Sequence, residues 1–323
     1  MTDTMFRRYG IIAQPMVHKK GAVSLSGRLV EHLLGDIRIL GYSVAGEETV
    51  IAVPELNVCF DVGKAPFEML AIDHVLLTHG HMDHAAGLAY YFSQRNFVGN
   101  APGCVLTPKP LVQPIRDLLR VWAAIEGHPS PARIVGLEPG EDFEVRRGLI
   151  VRPFEVNHRV PALGYCVIDV RHKLKPEYTG LSGPELVALK KQGTQIEHHV
   201  EVPLIAHSGD TAEGAWLDLE IVRRARVLIL ECSFFEADHV NRARAGYHLH
   251  VRDVARILGK LENEHFVIHH VSRRSSLREA KSTLSRLVDP KTMDRVTFLM
   301  DRRKAVPPRR VAGTLPPPPP AED

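Results

Sequence analysis

Thr78-His79-Gly80-His81-Met82-Asp83-His84 sets three imidazoles and a carboxylate within six residues, directly behind the apolar run Val75-Leu76-Leu77. Histidine nitrogen and carboxylate oxygen are donors that zinc favours, and a catalytic zinc keeps one coordination position open. Crowded at the end of a strand, such side chains would repel and desolvate one another unless a cation held them. The competing reading is a solvated polar loop that happens to be rich in histidine. What separates the two is whether the chain supplies further ligands at suitable places.

Working outward, three such places occur, each where an apolar strand hands over to a loop. His158 follows the run 151–156, Asp210 sits in Gly209-Asp210-Thr211 after 204–206, and His270 follows Phe266-Val267-Ile268. A single polar residue at a strand end is ordinary. Three of them, taken with the first motif, read as a ligand set gathered at one edge of a sandwich. His269 adjoins His270, but neighbouring side chains on a strand point to opposite faces, so one alone can enter such a site.

The 323 residues are long enough for a large core, 44% of them are apolar, and no apolar run reaches the length of a membrane span. The first twenty residues hold no apolar signal core. Cys59, Cys104, Cys166 and Cys232 are far apart and form no Cys-x-x-Cys pair, which reads as reduced, buried thiols in a cytoplasmic protein. The formal charge of +3 excludes little. Arginine clusters at 223–226, 242–244, 273–278 and 302–304 suit a polyanionic partner or form a solvated face.

Periodicity predicts strands over 37–41, 49–53, 57–61 and 75–78, helices over 85–95 and 114–126, and strands over 149–156 and 164–170. The rhythm then repeats, with strands over 204–208, 227–230, 266–269 and 296–300 and helices over 250–261 and 276–287. Two halves of this kind imply an α/β protein, an αββα four-layer sandwich of two mixed β-sheets flanked by helices. The predicted organisation is an N-terminal extension over 1–36, one domain over 37–305 with a short arm or insertion at 171–200, and a proline-rich tail over 306–323.

The His-x-His-x-Asp-His stretch resembles that of the metallo-β-lactamase superfamily. The remaining motifs resemble ribonuclease Z, the endonuclease that trims the 3′ trailer of precursor tRNA. They are His158 followed by Gly164-Tyr165, then Gly209-Asp210-Thr211, Glu231-Cys232-Ser233-Phe234, His248 before a helix, and His270-Val271-Ser272-Arg273-Arg274. Phe60-Asp61-Val62-Gly63 and the segment 173–184 are similar to the short, plant-like branch. The likeness runs from about residue 37 to 287.

This resemblance implies the metallo-β-lactamase fold and two zinc ions per subunit, with manganese or iron as substitutes. His79, His81 and His158 would hold one ion, Asp83, His84 and His270 the other, and Asp210 would bridge. It implies metal-hydroxide attack on a phosphodiester that leaves a 3′-OH on the tRNA, with Asp83 orienting or deprotonating the water and His248 as the acid. Register against the helix favours His248 over His250, whose alternative role is a helix cap or a supporting contact. Arg274 would clamp a phosphate or else lie on the surface, and Ser275 replaces the aromatic residue usual after it. Lys173 and Lys175 belong to a stretch that would act as a tRNA-gripping arm, unless 186–189 is a small packed helix. A homodimer is implied as well. Competing readings are a same-fold hydrolase of a small phosphodiester or ester and a non-catalytic RNA-binding protein.

Overall fold

The computed structural model describes residues 28–302, so the proline-rich tail over 306–323 and most of the predicted N-terminal extension lie outside the described residues. Two seven-stranded sheets face each other. The first takes its strands in chain order: β1 (Val30–Leu34), β2 (Ile37–Val44), β3 (Glu48–Val53), β4 (Val58–Phe60), β5 (His74–Leu76), β6 (Gly103–Pro108) and β7 (Ala132–Leu137). The second runs in reverse order from β14 (Val296–Phe298) through β13 (His265–His269), β12 (Val227–Glu231), β11 (Glu197–His207), β10 (Leu163–Leu174) and β9 (Leu149–Glu155) to β8 (Phe143–Arg146). Each sheet begins as an antiparallel meander and ends as a parallel run. Parallel strands need crossover connections, and the helices of the chain supply them on the outer faces.

Alternation along β12 shows how the layers form. Val227 and Ile229 enter the core between the sheets beside Ile51, Phe60, Leu76 and Val167, whereas Leu228 and Leu230 face outward. There they pack under the helices Val251–Lys260 and Leu277–Ser285. Covered on both faces, such a strand reads as a continuous apolar run. On the opposite side, Val75, Leu77 and Val105 lie under Leu88, Tyr91 and Phe92 of the helix Leu88–Phe97 and Ile115 of the helix Val112–Glu126. Tyr165 ties the halves together by donating its hydroxyl hydrogen to the Leu77 carbonyl at 2.9 Å.

Several elements differ from the sequence expectation. The first sheet starts at Val30 rather than at 37, and β1 pairs with β2. Its pattern is hard to read because Leu33 is 70% exposed beside the buried Leu34. Strands β6, β7 and β8 were not anticipated: Pro102 and Pro108 punctuate β6, while β7 and β8 are half-exposed edges with weak alternation. The predicted helix 85–95 is two pieces, Met82–Ala85 and Leu88–Phe97. In the helix Val112–Glu126 the apolar stripe is only partly covered, and Leu118, Val121, Trp122 and Ile125 stay exposed. The stretch 171–200 prolongs the β10–β11 hairpin and carries the helix Gly183–Lys191 at its tip.

Candidate metal centre

The ends of β5, β9, β11 and β13 meet at one edge of the two sheets. After β5 the chain turns sharply, because the His81 carbonyl accepts from the His84 and Ala85 amides and so opens the helical turn Met82–Ala85. The His84 carbonyl in turn accepts from Val62 and Gly63 at 3.0 and 3.1 Å, pinning the turn to the loop after β4. Asp210 follows Gly209, whose left-handed φ of 61° and close approach to Thr78 (2.8 Å from an added Cβ) both require glycine. His270 has a φ of 60°, which swings its ring into the cluster, while its amide donates to Ser43 Oγ. His269 faces the other way, with Nδ1 on Ser43 Oγ and its ring against the buried His207.

Two groups of donor atoms share no residue. His79, His81, His158 and Asp210 bring one atom each within 4.8 Å of one another, and so do Asp83, His84 and His270. A third group, Asp210, His248 and His270, overlaps both. His81 Nδ1 stands 2.9 Å from His79 Nε2 and 3.3 Å from His158 Nε2. In the second group His270 Nε2 is 3.4 Å from His84 Nε2 and 3.3 Å from Asp83 Oδ2. Asp210 Oδ2 lies between them, 3.9 Å from His79 Nε2 and 3.4 Å from both His84 Nε2 and His270 Nε2.

The outer ring nitrogens explain why the inner ones face inward. His84 Nδ1 donates to Asp61 Oδ2 at 2.7 Å, His270 Nδ1 meets Ser233 Oγ at 2.9 Å, and His158 Nδ1 meets the Tyr247 carbonyl at 3.3 Å. His79 Nδ1 meets Thr78 Oγ1, whose own hydrogen goes to Asp61. Such outer contacts hold the tautomer that leaves the inner nitrogen free for a metal. Burial holds the pKa of His79 well below its ordinary value and lowers those of His81 and His158, which keeps the three rings neutral. Burial opposes charge on His84 as well, but the Asp210 and Asp61 carboxylates raise it well above the usual value. Burial disfavours ionised Asp210, and the neighbouring His270 and His84 overcome it, so the carboxylate titrates well below the ordinary range.

Beside the two groups lies a cleft of about 360 Å³ lined by His81, Asp83, Phe234, His248, Ser272 and Arg274, among others. His248 donates from Nδ1 to Glu231 Oε1 at 2.8 Å, and its Nε2 has no hydrogen-bond partner among the described residues. Burial works against its charge, yet the Glu231 carboxylate prevails and its pKa is pushed up to about 9. His250 is buried away from the cleft. It caps the helix Val251–Lys260, with Nδ1 accepting from the Arg252 amide and Nε2 on the Glu236 carbonyl. Arg274 has no carboxylate partner among the described residues, whereas Arg273 is paired with Glu47. Lys173 and Lys175 are not brought to the cleft; Lys173 is ten residues along β10 from Leu163, about 30 Å at strand rise.

Asp61 and Glu231 are the supporting residues to which the sequence attached no role, although both stood inside quoted motifs. Their signal would have been a buried acid at a strand end with histidines needing an orienting partner. Asp61 accepts from His84 Nδ1, the Thr78 amide and the Thr78 hydroxyl at once. Asp61→Asn is therefore expected to weaken metal binding by about 10–100-fold, the usual loss for an outer partner of a ligand histidine. Chelator competition on the folded protein measures it, and an unchanged affinity would remove Asp61 from the account.

A sandwich of two such sheets with a histidine and aspartate cluster at one end defines a protein of the β-lactamase superfamily, and the Beta-lactamase superfamily domain matches residues 57–271. The chain is 31% identical over 277 residues to tRNase Z TRZ1 of Arabidopsis thaliana, covering 85% of this chain and 96% of that one. It is 30% identical over 273 residues to the chloroplastic tRNase Z TRZ2 of the same plant, covering 84% and 77% of the two chains. The chain belongs to the tRNase Z (ribonuclease Z) family of that superfamily. Among solved structures, the short form of human tRNase Z shares the fold, with a TM-score of 0.50 at 15% identity over 84% of this chain and 93% of that one.

Proposed function

We propose that the protein is a zinc-dependent endoribonuclease that removes the 3′ trailer from precursor tRNA, leaving a 3′-OH on the tRNA. One observation carries the metal part of this reading. Asp210 Oδ2 lies within 3.9 Å of inner nitrogens from both groups, while Asp210 Oδ1 is buried with no hydrogen-bond partner among the described residues. An orphaned carboxylate oxygen among imidazole nitrogens that face one another suits cations. His79, His81 and His158 would hold one zinc, Asp83, His84 and His270 a second, and Asp210 both. Manganese or iron would fit the same nitrogen and oxygen donors. Zinc supplies a Lewis acid there and lowers the pKa of water to about 7.

The chain's own residues then divide the remaining work. Asp83 Oδ2, held by the Gly46 amide at 2.8 Å, orients the attacking water and accepts its proton. Arg274 presents a free guanidinium to a phosphate oxygen at the cleft mouth. His248 Nε2 donates a proton to the leaving 3′ oxygen, a role suited to a ring kept protonated by Glu231. Lys173 and Lys175, far out on the β10–β11 hairpin, would grip tRNA at a distance from the cut.

The reading includes a cytoplasmic homodimer. No helix among the described residues is long and apolar enough to cross a membrane, and all four cysteines are free and buried, which suits a reducing compartment. The exposed stripe Leu118, Val121, Trp122 and Ile125 is the kind of face a second copy covers. To test the activity, metal-replete protein is incubated with a precursor tRNA bearing a trailer and with a small chromogenic phosphodiester, and bound metals are assayed. Trailer removal that chelator abolishes and zinc restores is the expected result. Cleavage of the small diester with the tRNA left intact would overturn the reading.

A further inference from the structure

Strand β11 ends on a histidine where the pattern of the strand calls for an apolar residue. Ile205 enters the core between the sheets and Ala206 packs outward, so alternation sends His207 inward again. The ring is fully buried, with Phe60 and His269 each 4.9 Å away between ring centroids. Neither of its nitrogens has a hydrogen-bond partner among the described residues. An imidazole kept in such a place forfeits its hydration, and a buried polar group that persists calls for a partner. The geometry supplies one. His207 Nε2 lies 3.9 Å from Asp61 Oδ2, and a shift of under about 1 Å brings the pair to hydrogen-bond length.

That oxygen already has a task. Asp61 Oδ2 accepts from His84 Nδ1 at 2.7 Å, Oδ1 accepts from the Thr78 amide at 2.8 Å, and the Thr78 hydroxyl reaches both oxygens at 2.9 and 3.0 Å. An ionised carboxylate offers about four acceptor positions. His84 and the two Thr78 donors fill three of them, and a hydrogen on His207 Nε2 fills the fourth. We propose that His207 is a positioning residue for the metal centre, donating from Nε2 to Asp61 Oδ2. It thereby fixes the carboxylate that holds His84 Nδ1 and keeps His84 Nε2 turned toward the ion. A ligand histidine is tuned by its outer partner, and a donor behind that partner fixes the partner in turn. The ion held by His79, His81 and His158 depends less on this contact, because Asp61 reaches His79 only through the Thr78 hydroxyl. His207 itself belongs to neither donor group. The inference rests on the two-metal reading and extends it one layer into the core.

The test measures zinc affinities of the full chain by chelator competition, together with thermal melting of the metal-free protein. His207→Phe should weaken one of the two zinc ions by about three- to tenfold, less than the loss of a direct outer partner, and leave the other within about twofold. Metal-free His207→Phe should melt no lower than wild type, because an apolar ring replaces buried nitrogens that lack partners. His207→Gln, which restores an N–H donor, should recover most of the affinity. In an Asp61→Asn background His207→Phe should add less than about twofold, the mark of two residues acting in series. Proton–nitrogen spectra of the histidine rings in the wild type should place a hydrogen on His207 Nε2, a readout that needs no variant to fold. Wild-type zinc affinities in His207→Phe, a loss shared equally by both ions and by metal-free stability, or an Nε2 without hydrogen would overturn the proposal. Wild-type protein that takes up no zinc would instead overturn the two-metal reading, and this inference with it.

Discussion

Asp210→Ala is expected to lower turnover of a precursor tRNA by at least about 10³-fold, the rate equivalent of the several kcal/mol that bound cations supply to a transition state. The size of the effect follows from position. Asp210 Oδ2 is 3.4 Å from His84 Nε2 and from His270 Nε2, and 3.9 Å from His79 Nε2, so one carboxylate faces both donor groups. Its removal also leaves those inner nitrogens without the negative charge that balances a cation. Elemental analysis should find less than the wild-type metal content, with the fold intact by circular dichroism. A variant with full metal content and a near wild-type rate would show that the two groups do not share this residue.

His248→Ala comes next, with a fall of about 10²–10⁴ in kcat, the range for a lost general acid, and unchanged metal content. The neighbouring His250→Ala should stay within about fivefold in rate but lose about 1 kcal/mol of stability, because it removes a helix cap. If His250→Ala proved the slower of the two, the acid would be misassigned. Glu231→Gln adds a pH signature. His248 donates only while protonated, and burial disfavours that charged form, so the Glu231 carboxylate is what pushes its pKa up to about 9. Loss of that carboxylate lowers the pKa, and the alkaline fall of kcat should begin at a lower pH. An alkaline limb that does not move would refute the pairing.

Strong local patterns made much of the molecule readable. The motif 78–84 and the strand ends before His158, Asp210 and His270 carry an apolar run followed at once by a donor residue, and the structure gathers all of them at one edge. The parallel strands β5, β12 and β13 were visible for the same reason, being apolar on both faces, whereas β6, equally buried, was masked by the prolines at its ends. Edges were harder. Val30–Leu34, Ala132–Leu137 and Phe143–Arg146 are half-exposed, so their pattern is diluted, and burial there depends on partners far away in sequence. Tyr247 shows a further kind of blindness, since a positive φ at a tyrosine leaves no mark in composition or spacing. Between His248 and His250 spacing alone does not decide, and register against the helix favours His248; the position of Glu231 and the helix cap separate the two physically.

The donor set is split between the halves of the molecule. His79, His81, Asp83 and His84 come from the loop after β5 in the first sheet, and His158, Asp210 and His270 come from loops of the second. Whatever ion they hold would thus be a chelate spanning two layers that otherwise meet through apolar contacts and scattered polar ones, such as Tyr165 to the Leu77 carbonyl and Ser43 to His269 and His270. Prying the layers apart would have to strip the ion of ligands, so occupancy opposes the opening by mass action. Metal supply would then govern how long the folded enzyme persists as well as whether it turns over.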